Sequence, residues 1–449
     1  MSVSALLKPR VLIETLGCKV NHYESQGLAA GFREAGWEVV RQGPLEAVVI
    51  NSCAVTAEAG RQSLQSVRRA LKRYPGSLVA VTGCEVVAAP EKVSAINDIG
   101  AIFGNRGKKD LVEYLTRQLS ATSGDYFMSE PVGILGELEI DLLRADCERG
   151  RSRAVVKVQD GCNSFCRYCI IPYLRGRCRS LNPERVLVEC GELMANGFQE
   201  VVLTGIHLGR YGDDAGKSFS LTSLLQQLTE KFPALRIRLG SLQPHEITPE
   251  IIGMLLDPKV SVCEHLHLSL QSGSDRVLGA MGRPYRRSEI EDVFARLAPG
   301  AGRLAIGTDL IAGFSAETES AFAETYALVK ASPLTYLHVF PYSPRRGTVA
   351  ASWPDRVPAK EKRFRAQKLA ALGREKRERF AQDNIGKPLK ILLETCREKS
   401  PCGPAWFGHS RNYLPILIPA AEVPVGLNAG NEIVAVPRIL ENNYLLAEV

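Results

Sequence analysis

The chain has 449 residues, of which 45% are hydrophobic, and a formal net charge of +7; this length predicts about three domains, and the composition excludes a wholly disordered protein. The modest positive charge permits a nucleic-acid partner without requiring one. Because no run of about 18 apolar residues is present and no apolar leader opens the chain, we expect a cytoplasmic protein without a membrane segment, whose 12 cysteines stay reduced and serve metals.

Three short aliphatic strands in the first hundred residues each run into a cysteine. Cys18, Cys53 and Cys84 follow strands predicted at 11–17, 47–52 and 78–83. Helical stretches alternate with these strands, which predicts a doubly wound parallel sheet whose carboxyl edge gathers the three thiols. The three residues could be ordinary buried cysteines. Their shared position at a strand end, beside Gly or Ser, favours an iron–sulfur cluster site.

A second triad, Cys162, Cys166 and Cys169, lies on one loop after a strand predicted at 154–159. Its C-x₃-C-x₂-C spacing can aim three thiolates at one [4Fe–4S] cluster and leaves the fourth iron without a protein ligand. S-adenosylmethionine can chelate such an iron, and one electron from the cluster then yields a 5′-deoxyadenosyl radical. The alternative is a structural zinc site with Cys178 as the fourth ligand. The absence of a second C-x₂-C pair favours the cluster.

The loop and its flank, Cys162-Asn-Ser-Phe-Cys-Arg-Tyr-Cys-Ile-Ile-Pro172 and Arg175-Gly-Arg-Cys-Arg-Ser180, resemble the methylthiotransferase subfamily of radical S-adenosylmethionine enzymes. In that superfamily the aromatic residue at the position of Tyr168 lies beside the adenine of the cofactor. The runs around Cys18, Cys53 and Cys84 resemble the subfamily's amino-terminal domain, whose three cysteines hold an auxiliary [4Fe–4S] cluster. The resemblance therefore implies two [4Fe–4S] clusters and S-adenosylmethionine as cofactors.

Two stretches depart from the family pattern. After Cys84 the family carries a Tyr-Ala-Gln-like run, whereas this chain has Glu85-Val-Val. After Phe314 the family carries Pro-Gly-Glu-Thr-Glu, whereas this chain has Ser315-Ala-Glu-Thr-Glu. We expect the surroundings of the auxiliary cluster to differ accordingly, because groups around a cluster tune its potential.

The central region repeats a βα pattern, with strands predicted at 154–159, 200–204, 236–240, 265–270, 304–310 and 336–340. Six such repeats predict an open, partial (βα)₆ barrel that binds ligands at the carboxyl ends of its strands. By resemblance and by position, the residues expected to bind S-adenosylmethionine are Tyr168, Gly205, His207, Ser269, Gln271 and Asp309. We expect no catalytic side chain of the acid–base kind, because the cofactors carry the chemistry.

The sequence leaves two interpretations open for two histidines and three arginines of this region. His265 and His267 alternate on one strand and are expected to be core or rim residues. Arg175, Arg177 and Arg179 follow the cysteine loop and either form a solvated charge run or bind a phosphate or carboxylate.

After a basic amphipathic helix predicted at 360–380, the sequence changes from alternating strand and helix patterns to short β runs. Short β runs at 389–393, 413–418 and 432–437 predict a small β-barrel. The run Gly408-His-Ser-Arg-Asn-Tyr413 resembles, with Ser in place of Thr, the signature of the TRAM domain, an OB-like RNA-binding module. We expect this domain to hold tRNA and to take no part in the radical step, with Tyr413 either stacking on a base or filling the barrel core.

The resemblance extends from about residue 10 to 449 and implies an amino-terminal domain at 9–120, a linker at 121–147, a radical core with its trailing helix at 148–380 and a TRAM domain at 383–449. It implies a methylthiotransferase acting at C2 of N6-threonylcarbamoyladenosine at position 37 of tRNA. An electron donor such as flavodoxin or ferredoxin and a monomeric state are further expectations. The alternatives are methylthiolation of isopentenyladenosine-37 in tRNA or of a ribosomal-protein aspartate, and an RNA-binding protein with structural or sensory clusters.

Overall fold

The computed structural model describes residues 8–120, 127–128, 152–216, 218–353 and 357–449. The linker predicted at 121–147 lies almost wholly outside these residues. The described residues form two compact units. The amino-terminal unit holds those before residue 146 together with 160–179 and 343–348, and the second unit holds 152–159, 180–342 and 349–449.

The elements are numbered along the chain. The strands are β1 (Arg10–Thr15), β2 (Glu38–Val39), β3 (Ala47–Ser52), β4 (Leu78–Gly83), β5 (Ala101–Ile102), β6 (Phe127–Met128), β7 (Arg153–Lys157), β8 (Gln159–Asp160), β9 (Arg179–Ser180), β10 (Glu200–Thr204), β11 (Arg236–Leu239), β12 (Ser241–Leu242), β13 (His265–Gln271), β14 (Ala305–Ala312), β15 (Tyr336–Pro341), β16 (Leu389–Arg397), β17 (Ala405–Ser410), β18 (Pro415–Pro419), β19 (Glu432–Glu441) and β20 (Tyr444–Glu448). The α-helices are α1 (Lys19–Glu34), α2 (Ala57–Arg73), α3 (Cys84–Ala88), α4 (Pro90–Ser94), α5 (Lys108–Ser120), α6 (Ile171–Arg175), α7 (Pro183–Ala195), α8 (Leu221–Lys231), α9 (Pro249–Leu256), α10 (Asp275–Met281), α11 (Arg287–Leu297), α12 (Glu319–Ala331) and α13 (Ala359–Gln382). No helix among the described residues is long and apolar enough to cross a membrane.

The amino-terminal unit is built on a parallel sheet with the strand order β2-β1-β3-β4-β5-β6. Residues of β3 alternate between two apolar cores: Ala47 and Val49 lie in one, Val48 and Ile50 in the other. The first core includes residues of α1 and α5, and the second includes residues of α2 and α4. Both faces are thus covered by helices, which confirms the predicted doubly wound sheet.

The second unit contains two parallel sheets, β11-β10-β7 and β12-β13-β14-β15. Ile237 of β11 joins them, because its backbone bonds to Ser261 at 2.9 Å and to Cys263 at 2.8 Å, just before β13. Each of the six predicted strands is present within two residues of its predicted ends, and they are parallel and follow chain order. This arrangement confirms the open, partial (βα)₆ barrel.

The carboxyl-terminal strands close into a barrel in the order β16-β17-β18-β20-β19. Ile391, Leu393, Ile416 and Ile418 fill its core and are wholly shielded from solvent. The predicted helix at 360–380 is α13, and the three predicted β runs became β16, β18 and β19. The strands β17 and β20 were not predicted, since the first contains Gly408 and both are short of β-branched residues.

Candidate functional site

The first cysteine triad lies at the carboxyl ends of three neighbouring strands. Cys53 directly follows β3, Cys84 directly follows β4, and Cys18 occupies the N-cap position of α1 after β1. Gly17 has a φ of +95°, and a Cβ built on it would lie 2.5 Å from Sγ of Cys53. The chain can therefore approach Cys53 this closely only because residue 17 has no side chain.

The chemistry of this donor set fits an iron–sulfur cluster. Burial raises the pKa of Cys18 and that of Cys53, the latter to about 11, and the sulfurs of the triad act on one another electrostatically. Three thiolates so placed require cationic compensation, which iron supplies. Asn105 Nδ2 lies 3.8 Å from Sγ of Cys84 in donor geometry, and N–H donors to sulfur are a feature of protein-bound clusters.

The Glu85 departure from the family pattern has a defined role in the structure. Glu85 is buried and accepts a hydrogen bond from Arg345 Nη2 at 3.3 Å. Its backbone N–H donates to Oγ of Ser52, the residue before Cys53, at 3.1 Å. Burial raises the pKa of Glu85, while the Arg345 guanidinium opposes that shift. An ion pair thus takes the place of the family's run directly behind Cys84.

The second triad lies on a loop that folds back onto residues 176–177. The Cys162 N–H donates to the Gly176 carbonyl at 3.0 Å. Gly161 has a φ of +73°, and a Cβ there would lie 1.9 Å from the Arg177 carbonyl oxygen. The Ser164 N–H donates to Sγ of Cys162 at 3.4 Å, so a donor to sulfur is already in place for a bound cluster.

Tyr168 lies in the turn between Cys166 and Cys169, where the Cys169 N–H donates to the Cys166 carbonyl at 2.9 Å. Its side chain is half-buried. Its contact with an adenine stays a prediction.

Arg175 anchors the segment that follows the cysteine loop to helix α1 of the amino-terminal unit. Its side chain is 2% exposed and donates to Glu24 at 2.8 Å, to Asp160 at 3.2 Å and to Asn21 at 2.8 Å. Glu24 also pairs with the buried ammonium of Lys108. The interpretation of Arg175 as part of a solvated charge run was wrong, whereas the carboxylate interpretation holds, with the carboxylates of Glu24 and Asp160 of the protein itself as its partners.

An apolar contact adds to this anchor. Cys84 and Ala54 of the sheet edge pack in one buried cluster with Ile170 and Leu174, which follow the cysteine loop. Asn105 joins the two parts again, since its Nδ2 also donates to the Leu174 carbonyl at 3.2 Å. Both cysteine triads therefore belong to the amino-terminal unit.

The other expected cofactor residues lie in the second unit, and two of them, Gly205 and His207, lie against polar side chains of this unit. A Cβ on Gly205 would lie 2.7 Å from Oε1 of Gln159, so a glycine is needed for this close approach. His207 is buried, and its Nε2 lies 2.6 Å from Oε1 of Glu246. Burial alone would raise the pKa of Glu246, but the hydrogen bond to His207 outweighs burial and lowers this pKa. The structure thus places His207 in a buried polar group with Glu246 and Gln243, whose Nε2 also lies 2.6 Å from the His207 Nε2.

Ser269 and Gln271 form the carboxyl end of β13. The Ser269 carbonyl accepts from Tyr285 Oη at 2.6 Å and from Arg283 at 3.1 Å. Gln271 has a φ of +66°, a left-handed conformation that is strained for a residue other than glycine, asparagine or aspartate. Strain of this kind is concentrated at functional sites, and sequence reasoning had no means to detect it.

Asp309 of β14 lies between two histidines from the strands on either side. Its Oδ1 is 3.5 Å from Nε2 of His267 on β13 and 3.3 Å from Nδ1 of His338 on β15. His267 Nδ1 lies 3.0 Å from Oγ of Ser241. This polar cluster was missed from sequence: Asp309 pairs in register with His338, whereas His267 pairs with Gly307, two residues before Asp309 on the same face of the sheet.

The carboxyl-terminal barrel packs on the amino-terminal ends of β10 and β11. Arg238 is 1% exposed; it donates to Glu200 at 2.7 Å, to the Arg411 carbonyl at 2.9 Å and to the Ser410 carbonyl at 3.3 Å. Arg236 donates to Glu432 at 2.9 Å. Burial alone would raise the pKa of Glu200, but the guanidiniums of Arg238 and Arg236 lower this pKa to about 2.

Tyr413 belongs to this contact. Its ring stacks on His409 with centroids 4.9 Å apart, and the Arg238 guanidinium carbon lies 4.8 Å from the ring centroid. The residue has a φ of +64° and retains 36% of its exposure. The run 408–413, expected to face RNA, is thus largely occupied with the central strands.

Comparisons with known proteins agree with this organisation. The model of "Uncharacterized protein family UPF0004" matches residues 10–104 and the "Radical SAM superfamily" model matches residues 156–329. The chain is 35% identical over 93% of its length to "Threonylcarbamoyladenosine tRNA methylthiotransferase MtaB" of Bacillus subtilis, covering 92% of that protein. It is 36% identical over 86% of its length to the protein of the same name from Aquifex aeolicus, covering 92% of it.

Two further similarities are weaker. The chain is 32% identical over 87% of its length to "tRNA-2-methylthio-N(6)-dimethylallyladenosine synthase" of Moorella thermoacetica, covering 88% of that protein. Among solved structures, the radical S-adenosylmethionine methyltransferase TsrM from Kitasatospora setae superposes with a TM-score of 0.52 at 16% identity, with 75% of each chain covered. This last similarity concerns the fold of the chain.

Proposed function

The chain belongs to the family of threonylcarbamoyladenosine tRNA methylthiotransferases, and we propose that it transfers a methylthio group to C2 of N6-threonylcarbamoyladenosine at position 37 of tRNA. The observation that carries this proposal is the presence of two separately built cysteine triads in one chain that matches the relatives over nearly their whole length. A protein with only one structural cluster would not need the second triad.

The cofactors are S-adenosylmethionine and two [4Fe–4S] clusters. We assign the auxiliary cluster to Cys18, Cys53 and Cys84, and the radical cluster to Cys162, Cys166 and Cys169. When bound, the clusters and S-adenosylmethionine would supply the reducing electron, the carbon radical and the methyl group. The protein's own part is to hold both triads in one unit, through Arg175 and the apolar contact of Cys84 with Leu174.

We assign the binding of S-adenosylmethionine to Tyr168, Gly205, His207, Ser269, Gln271 and Asp309. Gln271 and Asp309 are the strongest of these, since one holds a strained backbone and the other lies between two imidazoles. His207 acts through its pair with Glu246, which fixes the loop after β10. We further infer that the enzyme works as a cytoplasmic monomer and receives its electron from flavodoxin or ferredoxin.

The test is mass spectrometry of tRNA nucleosides from strains with and without this protein. Loss of the methylthio derivative of threonylcarbamoyladenosine on deletion, with its return on complementation, is the expected result. Loss of the methylthio derivative of isopentenyladenosine instead would assign the sister substrate. Unchanged tRNA nucleosides in the deletion strain would overturn the proposal.

A further inference from the structure

The amino-terminal part of α13 presents an outward face that is basic and free of carboxylates. Positions 360, 363, 364, 367, 368, 371 and 374 recur at the spacing of one helix face, and all seven are exposed. This face, called the basic stripe below, contains Lys360, Arg363, Phe364, Gln367, Lys368, Ala371 and Arg374. It extends over about 21 Å of helix, at the usual rise per residue.

The inner face of α13 holds the helix firmly in place. Arg365 donates to Glu317 of the loop before α12 at 2.8 Å, and Lys376 donates to the Ser332 carbonyl at 2.8 Å. A Cβ on Gly373 would lie 3.0 Å from Leu337 of β15, so the helix lies directly on that strand. The side chains of the basic stripe are thus displayed from a rigid support.

A helix face that is merely solvated usually alternates positive and negative charges. The last turns of α13 follow that pattern, with Glu375, Arg377, Glu378 and Arg379 in succession. The basic stripe does not: within the described residues, Lys360, Arg363 and Arg374 form no ion pair with any carboxylate. Lys368 alone has an aromatic partner, with its ammonium 4.9 Å from the centroid of Tyr326.

An exposed aromatic ring lies within the stripe. Phe364 keeps 56% of its exposure and is flanked along the face by Lys360, Arg363 and Lys368. The hydrophobic effect favours a partner that removes this ring from water, and the cations beside it favour a partner that is anionic. Basic side chains for a phosphate backbone and an aromatic ring for a base are the two components by which proteins bind RNA strands.

We propose that the basic stripe of α13 binds the sugar–phosphate backbone of the tRNA substrate, with Phe364 against an unpaired base or a ribose. This inference rests on the proposed function for the identity of the RNA. It places an RNA contact on α13, whereas much of the run 408–413 is engaged with Arg238.

The test compares two matched double variants on the same helix, Arg363→Gln with Arg374→Gln and Arg377→Gln with Arg379→Gln. Both remove two exposed arginines, but only the first removes them from the stripe. Fluorescence anisotropy with full-length tRNA, on the reconstituted protein, should show at least a roughly tenfold higher Kd for the stripe variant near 0.15 M salt. The slope of log K against log salt should fall by roughly 1.5, as two lost phosphate contacts require. The control should remain within about twofold of the wild type.

Phe364→Ala should weaken tRNA binding by roughly 5- to 150-fold, the range for one stacked base, while leaving the salt slope unchanged. Equal losses in both arginine variants, or none in the stripe variant, would overturn the proposal. Sedimentation with vesicles of 30% phosphatidylserine that is lost only in the stripe variant would assign the stripe to a membrane and overturn it too. Product assays at saturating tRNA keep the two proposals apart: a wild-type protein that makes no methylthiolated nucleoside contradicts the function, whatever the stripe does.

Discussion

The guanidinium of Arg175 lies 2.8 Å from Oε1 of Glu24, across 151 residues of sequence, and both side chains are almost completely buried. The contact ties the segment that carries one cysteine triad to the helix that follows Cys18 of the other. The relative position of the two triads therefore depends on this ion-pair network, together with the apolar contact between Cys84 and Leu174, rather than on chain connectivity.

Arg175→Gln is expected to destabilise the amino-terminal unit by about 3–5 kcal/mol, because Glu24 and Asp160 would keep buried charges without their main partner. Urea unfolding of the reconstituted protein, followed by circular dichroism, measures the loss. Arg177→Gln is the control, since Arg177 is exposed and such changes usually stay within about 0.5 kcal/mol. Equal stability of the two variants would mean that the network contributes nothing.

Replacement of Cys162, Cys166 and Cys169 by Ala together should leave about half of the iron, because Cys18, Cys53 and Cys84 are positioned by the sheet and not by the loop. Iron and sulfide analysis after anaerobic reconstitution gives the answer. Cys396→Ala is the control, as this residue lies exposed on β16. Full iron content in the triple variant, or none at all, would contradict a two-cluster protein.

The complementary variant, with Cys18, Cys53 and Cys84 all replaced by Ala, separates the roles of the clusters. It should still release 5′-deoxyadenosine from S-adenosylmethionine, because the cysteine loop with Tyr168 remains. Methylthiolated nucleoside should be absent from its product mixture. If this variant formed product at the wild-type rate, the auxiliary assignment of the first triad would be wrong.

The strand-end position of three cysteines was enough to predict the first triad, and βα repetition was enough to predict the barrel. The burial of Arg175 was not predictable, because nothing local in the sequence separates it from Arg177 and Arg179, whereas only the fold places it between Glu24 and Asp160. The contacts of Tyr413 were not predictable for a similar reason: its neighbours Arg238 and His265 come from strands about 175 and about 150 residues earlier. Periodic and local features are visible in the sequence, whereas buried charge networks depend on tertiary placement.

The carboxyl-terminal barrel is expected to be indispensable for the fold of the second unit. Arg238 donates to two carbonyl groups of the run 408–413, and Arg411 donates to the Val260 and Val262 carbonyls at 2.8 and 2.9 Å. A chain that ends at Asp383 would leave the Arg236, Arg238 and Glu200 charges at an exposed surface and uncover the apolar Ala305. We expect such a chain to aggregate or to melt well below the full-length protein in calorimetry. A truncated protein with an unchanged melting temperature would show that the barrel is a detachable module.

Gln271 offers a test in which stability and activity should move in opposite directions. Its φ of +66° costs roughly 1–2 kcal/mol for a residue with a Cβ, and glycine adopts this conformation without that penalty. Gln271→Gly should therefore keep or raise the melting temperature. If the side chain contacts S-adenosylmethionine, as we propose, the same change should raise the KM for the cofactor in the release of 5′-deoxyadenosine.

Gln271→Asn is the matched control, because asparagine tolerates the left-handed region and retains the amide. The asparagine variant should recover part of the affinity for S-adenosylmethionine. A glycine variant with wild-type KM would mean that the strain at residue 271 serves only to turn the chain at the end of β13.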